Sequence, residues 1–354
     1  MKVAILSAIA WRTPPRHYGP WEQVASNIAE GLIQLGVEVT LFATGDSITQ
    51  GKLESVVEKG YAEDTQLDAK VVECLHISNL MERADEFDII HNHFDFLPLS
   101  YSKLIKTPMV TTIHGFSSPR ILPVYQKYNP FTNYISISNA DRDASLNYLA
   151  TVYNGINCDE FNFNPIPKDY LLFFGRIHPD KGTAEAVQIA IKAKKSLIIA
   201  GIIQDHSYFK EHVEPFLNEQ ITFIGAAGPY ERDQLLGNAL ALLHPISFNE
   251  PFGMSVAEAM YCGTPVIAFN KGSMPELIQD EVTGFLVNTV EEAVEAVLNL
   301  PRIERNQCHD WAKAKFSREK MALDYLNCYQ VIIGGDDLSR SNNTLKSTVA
   351  NDDE

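Results

Sequence analysis

The most informative segment of the chain reads Asn249-Glu250-Pro251-Phe252-Gly253-Met254-Ser255-Val256-Ala257-Glu258-Ala259-Met260 and sets two glutamates eight positions apart. Pro251 suits the first position of a helix, because its missing N–H removes no hydrogen bond there. Cys262-Gly263 is a typical helix end. The pattern therefore predicts a helix that begins at Pro251, with Glu250 at its mouth and Glu258 about two turns in.

This predicted helix start favours a ligand that carries both phosphates and hydroxyls. Free N–H groups and the positive end of the helix dipole attract anions, and Gly253 leaves the first turn uncovered. Backbone amides would bind phosphate oxygens, while Glu250 and Glu258 would accept hydrogen bonds from sugar hydroxyls. The alternative is a surface helix with two unrelated glutamates.

Short apolar runs alternate with amphipathic helical segments as far as about residue 333, which is typical of α/β domains with parallel sheets. A proline-rich linker, 162–167, separates two such series. The predicted strands are 3–6, 38–43, 87–93, 108–115, 134–138 and 150–155, then 170–174, 196–200, 221–224, 239–243, 265–268 and 284–287. The first strand is not followed by a three-glycine dinucleotide fingerprint, which disfavours nicotinamide cofactors.

Polar side chains end several strands of the first series, at the sheet edge where open α/β domains bind ligands. They are His91, His93, His114, Ser138 and Asn154. The pattern His91-Asn92-His93-Phe94-Asp95 is also how two-metal hydrolases of the metallo-β-lactamase type begin their site. Phe96 stands where that pattern needs another histidine, and no further ligand set follows, so metal binding is disfavoured. Lining of an acceptor site and ordinary strand-end polarity both remain open, the latter above all for His93.

Two cations follow the first strand of the second series, in Gly175-Arg176-Ile177-His178-Pro179-Asp180-Lys181-Gly182. The Pro-Asp turn can hold both at one ligand, with the Arg176 fork and the Lys181 point charge on phosphate oxygens. Fixed cations at that place would stabilise the charge of a departing diphosphate, as a metal ion does elsewhere. The alternative is two solvated surface cations near a turn.

The order of these motifs resembles the retaining glycosyltransferases of the family-4 type (glycosyl transferases group 1). The resemblance rests on Tyr18-Gly19, His114-Gly115, Asn154-Gly155, Gly175-Arg176 to Lys181-Gly182, and Glu250 to Glu258. It implies a GT-B architecture, with two Rossmann-like domains facing each other across a cleft. An acceptor-side domain would span 1–164, a donor domain 165–315, and a helix crossing back to the first domain 316–333. By composition, 334–354 is a disordered acidic tail.

The resemblance also implies a reaction: transfer of a hexose from a nucleotide-diphosphate sugar with retention of configuration, without a metal or other cofactor. UDP-hexose is the first expectation for the donor and GDP-mannose the second. The implied catalytic residues are Glu250, His114, Arg176 and Lys181. The implied donor-binding residues are Gly19, Arg176, Lys181, Glu250, Phe252, Gly253, Met254, Ser255 and Glu258, and the acceptor side has His91, His93 and Asp95. Pro20 replaces the second glycine of the family's Tyr-Gly-Gly-x-Glu loop, which limits flexibility and removes an N–H.

Other functions stay open on the sequence alone. A sugar phosphorylase of the same fold would turn over without a nucleotide, and a nucleotide-sugar epimerase would need no acceptor. A metal-dependent hydrolase built on His91, His93 and Asp95 would lose activity with a chelator. A non-catalytic binder of nucleotide sugars is disfavoured by the presence of Arg176 and Lys181 together with both glutamates.

Composition limits the partners. A net charge of −16 argues against nucleic acid as a ligand. Five scattered cysteines, no signal peptide and no apolar run of membrane-spanning length predict a cytoplasmic chain without a transmembrane segment. Peripheral membrane contact stays open through basic residues such as Lys103, Lys106, Arg120 and Lys127. The acceptor could be a sugar, a lipid-linked molecule or another small molecule.

Overall fold

The structure, a computed structural model, describes residues 1–16, 19–116 and 118–348, with side chains of the last helix described as far as Gly335. The chain divides into two compact units. Unit 1 comprises Met1–Ile137, Arg142–Val152 and the chain from Met321 onward, and unit 2 comprises Ser138–Asp141 and Tyr153–Lys320. Within the described residues, no helix is both long and apolar enough to span a membrane.

Unit 1 is built on a seven-stranded parallel sheet in the order β3-β2-β1-β4-β5-β6-β7. The strands are β1 Lys2–Leu6, β2 Glu38–Phe42, β3 Lys52–Glu54, β4 Ile89–Asn92, β5 Met109–Ile113, β6 Asn133–Ser136 and β7 Tyr148–Thr151. Its helices are α1 Pro20–Gln34, α2 Ala69–Met81 and α3 Leu122–Tyr128. The apolar runs of β1, β4 and β5 are buried, as expected for central parallel strands. The strand order reverses between β1 and β4, which places a ligand-binding crevice at their carboxyl ends.

Unit 2 is built on a six-stranded parallel sheet in the order β10-β9-β8-β11-β12-β13. The strands are β8 Tyr170–Phe174, β9 Ser196–Ala200, β10 Ile221–Gly225, β11 Ala241–His244, β12 Val266–Phe269 and β13 Gly284–Val287. The helices are α4 Thr183–Ala193, α5 His206–His212, α6 Pro229–Asn238, α7 Met254–Tyr261, α8 Met274–Leu277, α9 Val290–Asn299 and α10 Arg305–Phe316. Here the order reverses between β8 and β11, so their carboxyl ends form the corresponding crevice. Both units are Rossmann-like, as the alternating pattern predicts.

The last helix, α11 Arg318–Thr348, belongs to unit 1 from Met321 onward. Two buried tyrosines attach it to the sheet: the Tyr325 hydroxyl lies 2.9 Å from Thr112 Oγ1, and the Tyr329 hydroxyl lies 2.6 Å from His91 Nδ1. The helix continues to Thr348, whereas the composition predicts disorder from residue 334. Residues 349–354 of that predicted tail lie outside the described residues.

The division between the units differs from the predicted boundary at residue 164. A short segment, Ser138–Asp141, already belongs to unit 2, and Tyr153 begins its main part. Glu276 accounts for this, because its carboxylate accepts hydrogen bonds from the backbone N–H groups of Asn139 and Ala140 and from the Tyr153 hydroxyl. One side chain thus ties the segment to unit 2, which sequence spacing does not reveal.

Candidate active site

The loop after β8 lies directly on the end of β11. Gly182 has φ 74°, and a Cβ there would lie 1.9 Å from the Pro245 carbonyl oxygen, so only glycine fits. The Ser247 N–H donates to the Asp180 carbonyl at 2.8 Å. This close approach carries Lys181 to the carboxyl edge of the sheet.

Lys181 and Glu250 form an ion pair at that edge, with each side chain 14% exposed. Lys181 Nζ also lies 4.6 Å from the centre of the Phe248 ring. Because both side chains are largely buried, the pair holds a cation and a carboxylate next to each other in fixed positions. The sequence predicts Lys181 and Glu250 as ligand-binding residues, and the structure brings them together.

His244, at the end of β11, completes this group and is absent from the predicted site. Its Nε2 is buried, lies 3.8 Å from Glu250 Oε2, and has no hydrogen-bond partner among the described residues. Burial, with a smaller effect of Lys181, lowers the pKa of His244 to about 3, so the imidazole is neutral. The sequence does carry a signal for it, because His244 directly follows the predicted strand 239–243, much as His114 lies at the end of the predicted strand 108–115.

Arg176 is held by other partners, one on the same loop and one after β9. Its guanidinium donates to Gln204 Oε1 and, at 3.4 Å, to Asp180 Oδ2. The sequence predicts Arg176 and Lys181 at one ligand, whereas here Lys181 contacts Glu250 and Arg176 contacts Gln204 and Asp180. Gln204 lies too far along the chain for spacing to indicate it.

The structure contains a helix after Glu250, as predicted, but this helix begins further along the chain than predicted. Helix α7 begins at Met254, and Gly253 is its N-cap with φ 98°. The prediction of Pro251 as the first helical residue is wrong, because Phe252 is buried and its carbonyl accepts a hydrogen bond from Ser273 Oγ at 2.5 Å. No side chain among the described residues caps α7. The first intrahelical donor is the Val256 N–H, which bonds the Gly253 carbonyl at 3.0 Å, so the N–H groups of Met254 and Ser255 have no acceptor within the helix.

Glu250 is fixed by a second close contact between backbones. A Cβ on Gly272 would lie 2.4 Å from both the N and the O of Glu250, and Gly272 has φ 56°. The Ser273 N–H donates to the Glu250 carbonyl at 3.0 Å. The segment that begins at Gly272 therefore positions Glu250 as well as opening α8.

Glu258 lies inside α7 and is almost fully buried. Arg232 faces it at 3.6 Å, donates to Glu160 at 2.8 Å, and lies over the Phe161 ring. Burial raises the pKa of Glu258, against the attraction of Arg232. Arg232 and Glu160 are absent from the predicted site, since nothing local in the sequence links them to Glu258.

In unit 1, Gly19 precedes α1 with φ 152°. A Cβ there would lie 2.9 Å from Pro15 Cβ and 3.0 Å from Glu22 Oε2. Glu22 is buried and accepts a hydrogen bond from the Trp11 N–H, and burial raises its pKa to about 7. Tyr18, the other half of this motif, lies outside the described residues.

Three histidines lie together at the carboxyl ends of β4 and β5. His93 Nδ1 is 2.9 Å from His114 Nε2, and the His91 and His93 rings are 3.9 Å apart. Burial lowers the pKa of all three, that of His114 to about 3. Trp21 stacks on His114 with ring centres 5.7 Å apart. This edge presents neutral imidazoles rather than cations.

Of the predicted trio of His91, His93 and Asp95, the two histidine rings lie together, whereas Asp95 has a different partner. Asp95 accepts a hydrogen bond from the Tyr125 hydroxyl, and His91 is fully buried with both ring nitrogens bonded to Thr112 and Tyr329. In the part of the chain that is described, no group of three or more potential ligands could hold a metal ion. His91 and Asp95 thus spend their polar atoms on neighbouring side chains.

Family models extend over most of the chain. Residues 21–160 match Glycosyltransferase Family 4, and residues 159–318 match Glycosyl transferases group 1. The chain belongs to the group 1 glycosyltransferases. It is therefore a transferase, with the two Rossmann-like domains of the GT-B fold.

Known proteins agree with this assignment. An uncharacterized glycosyltransferase of Methanocaldococcus jannaschii is 24% identical over 94% of this chain and 98% of its own. AviGT4, a glycosyltransferase involved in avilamycin A biosynthesis, has a TM-score of 0.71 at 24% identity, covering 94% and 98% of the two chains. Anabaena HepE, solved in complex with UDP and glucose, has a TM-score of 0.70 at 20% identity, covering 93% and 99%.

Proposed function

We propose that this glycosyltransferase moves a hexose from a nucleotide-diphosphate sugar to a hydroxyl-bearing acceptor with retention of configuration, UDP-hexose being the first choice of donor. The observation that carries the proposal is the Lys181–Glu250 pair beside the uncapped start of α7. It combines a cation, free amides and a carboxylate, which are the groups that a sugar diphosphate needs. The complexes of HepE with UDP and UDP-glucose support the choice of base.

The diphosphate is assigned to the cationic side of unit 2. Lys181, Arg176 and the amides of Gly253, Met254 and Ser255 would bind its oxygens. In the structure each cation has a carboxylate partner: Glu250 pairs with Lys181 and Asp180 with Arg176. An arriving diphosphate would draw each cation to itself and leave the Glu250 carboxylate free to accept a hydrogen bond from a hexose hydroxyl. Glu258 would accept hydrogen bonds from the ribose hydroxyls, and the buried Phe252 holds the loop between the two glutamates.

The chemistry asked of these groups is stabilisation of a departing anion. The bond from the anomeric carbon to the diphosphate oxygen breaks, and the bonding pair leaves with the diphosphate. The acceptor oxygen bonds to the same face of that carbon, and its proton passes to the leaving oxygen. Fixed cations near the diphosphate stabilise its developing charge without a metal ion or other cofactor.

Unit 1 is assigned a hydroxyl-recognition role. Gly19 permits close approach of the backbone at the start of α1, and His114 offers a neutral imidazole at the end of β5. A neutral imidazole hydrogen-bonds a sugar hydroxyl without attracting the diphosphate. His93 lies behind His114, while His91 and Asp95 are engaged with other side chains, so neither is assigned to the acceptor.

A thermal-shift panel of UDP, GDP, ADP and their hexose derivatives, with and without EDTA, tests the proposal. UDP-glucose at about 100 times its Kd should stabilise the protein by about 2.7 kcal/mol. Glu258→Ala should reduce the shift, EDTA should not, and Glu219→Ala, at an exposed glutamate of the same unit, should behave as the wild type. Absence of any nucleotide-induced shift in the wild type would reject the proposal. A phosphate-dependent turnover without nucleotide would indicate the phosphorylase, and turnover of the donor without acceptor the epimerase.

A further inference from the structure

We propose that His93 is a positioning residue that fixes the tautomer of His114, so that His114 presents its Nδ1–H outward as a hydrogen-bond donor. His93 follows β4 and His114 follows β5, and these parallel strands are neighbours with Asn92 opposite Thr111. The register brings the two rings together at the same sheet edge. The significance for sugar recognition rests on the proposed function, whereas the tautomer itself does not.

The contact between the rings has only two possible proton arrangements. Both imidazoles are neutral, because burial lowers the pKa of each. A neutral imidazole has one N–H and one acceptor nitrogen. Across the 2.9 Å contact, either His93 Nδ1–H donates to His114 Nε2, or His114 Nε2–H donates to His93 Nδ1.

The other nitrogen of His93 decides between them. His93 Nε2 is buried and has no hydrogen-bond partner among the described residues. If His114 donated, His93 would carry its proton on Nε2 as a buried and unpaired N–H, which proteins rarely contain. If His93 donates, Nε2 is only an unused acceptor. We therefore infer that His93 donates, and this arrangement leaves the proton of His114 on Nδ1.

The His93 ring is held in place from behind. It lies against His91, whose two nitrogens contact the Tyr329 hydroxyl at 2.6 Å and Thr112 Oγ1 at 2.7 Å. Thr112 Oγ1 is in turn 2.9 Å from the Tyr325 hydroxyl. Helix α11 thus supports His91, and His91 supports His93. Since these rings are fully buried, His93 keeps one orientation toward His114.

A fixed tautomer gives His114 a single role. With Nε2 accepting from His93, the ring can only donate through Nδ1, to the oxygen of a hydroxyl. It would act neither as a base nor as an acceptor toward its ligand. The ligand must therefore offer an acceptor oxygen to this N–H, as a sugar hydroxyl of the proposed donor does.

Nitrogen-15 spectroscopy of the full-length chain with ¹⁵N-labelled histidine reads the tautomer directly. The chain has ten histidines, and His114→Gln assigns the signal. His93→Phe keeps a ring against His91 but removes the donor, while His93→Asn keeps an N–H close to the Nδ1 position. His114 should be protonated on Nδ1 in the wild type and His93→Asn, and should shift toward Nε2–H in His93→Phe. His76→Gln, which changes a buried histidine of unit 1 outside this network, should leave the His114 signal unchanged.

A binding measurement then tests the link to sugar recognition. His93→Phe should lose about 10-fold in affinity for UDP-glucose, equivalent to one hydrogen bond, with little change for UDP, and His93→Asn should recover most of the loss. Nε2–H protonation of His114 in the wild type, or an unchanged tautomer in His93→Phe, would overturn the proposal. Failure of UDP-glucose and of every other nucleotide sugar in the thermal-shift panel to bind the wild type would instead reject the proposed function and leave the tautomer result standing.

Discussion

The guanidinium of Arg232 lies between two carboxylates, 3.6 Å from Glu258 and 2.8 Å from Glu160. Of these, Glu258 is almost fully buried, and its pKa is raised by loss of hydration. Arg232 opposes that effect, because an adjacent cation favours the charged form of a carboxyl group. We therefore expect Arg232 to keep Glu258 ionised and able to accept two hydrogen bonds.

Replacement of Arg232 by Met should weaken UDP binding by about 10- to 30-fold, since each hydrogen bond to an ionised acceptor contributes about 1 kcal/mol more than one to a neutral acceptor. The loss should be largest at low pH, where Glu258 without its cation becomes protonated. Titration calorimetry of UDP from pH 5.5 to 8.5 measures this. Arg302→Met, at an exposed arginine of unit 2, is the control. Equal affinity of Arg232→Met and wild type at all pH values would contradict the expectation.

Lys181 and Glu250 should show strong coupling in a double-mutant cycle. Removing one member of a largely buried ion pair leaves the other charge without a partner. Lys181→Met and Glu250→Gln should therefore each destabilise the protein by about 1–3 kcal/mol. The double variant should lose less than the sum of the two. Urea unfolding measures the three values. Strict additivity would mean that the pair contributes nothing in solution.

Lys181→Met should also lower the catalytic rate, for a reason separate from its effect on stability. Removal of a fixed charge from a developing anion costs about 10²–10³ in kcat, so Lys181→Met should lower kcat even at saturating donor. A restored kcat in the double variant would contradict a direct role for Lys181, because regained stability alone cannot replace the missing cation.

Gly272→Ala should cost more stability than its backbone angle explains. A left-handed conformation costs a non-glycine residue about 1–2 kcal/mol, and Gly225→Ala, with φ 77° and open space around it, measures that cost alone. Gly272→Ala adds an overlap at 2.4 Å with the Glu250 backbone. Thermal unfolding should show the larger loss at Gly272, together with reduced transfer activity as Glu250 moves. Equal losses at the two glycines would show that the contact is relaxed.

Glu22 should make the stability of the protein depend on pH. Its folded-state pKa is about 7, above the ordinary value of 4.5, so its stabilising contribution is fully present below pH 4.5 and is lost as pH rises through 7. Relative to Glu22→Gln, the wild type should lose up to about 3 kcal/mol over that range. Urea midpoints between pH 5 and 8 measure the difference. Glu38→Gln, at an exposed glutamate of unit 1, should show no such trend.

The sequence predicts the fold well because the strands are continuous apolar runs. β8, β9 and β13 have the bounds expected from the sequence, and most other strands differ by one to three residues at an end. Strand-end reasoning also predicts His114, and helix-start reasoning predicts Glu250 and Glu258. These signals are local, so spacing is enough to predict where the three side chains lie, while their roles in the reaction stay predictions.

The missed features depend on contacts between distant segments. The start of α7 at Met254 follows from the burial of Phe252 and its contact with Ser273. Likewise, Arg232 is found only by seeing what faces Glu258, and Tyr329 only by seeing what bonds His91. No local pattern encodes such pairings, because each requires the completed fold.

The return of the chain to unit 1 through α11 limits how chimeras of this protein and its relatives can be built. No continuous piece of the chain contains all of unit 1, since Tyr325 and Tyr329 lie after the whole of unit 2. A recombinant that replaced everything after residue 152 would inherit foreign side chains against Thr112 and His91. Unit 2 can therefore be exchanged between relatives only as an internal insert, with the native N-terminal part and the native final helix kept together.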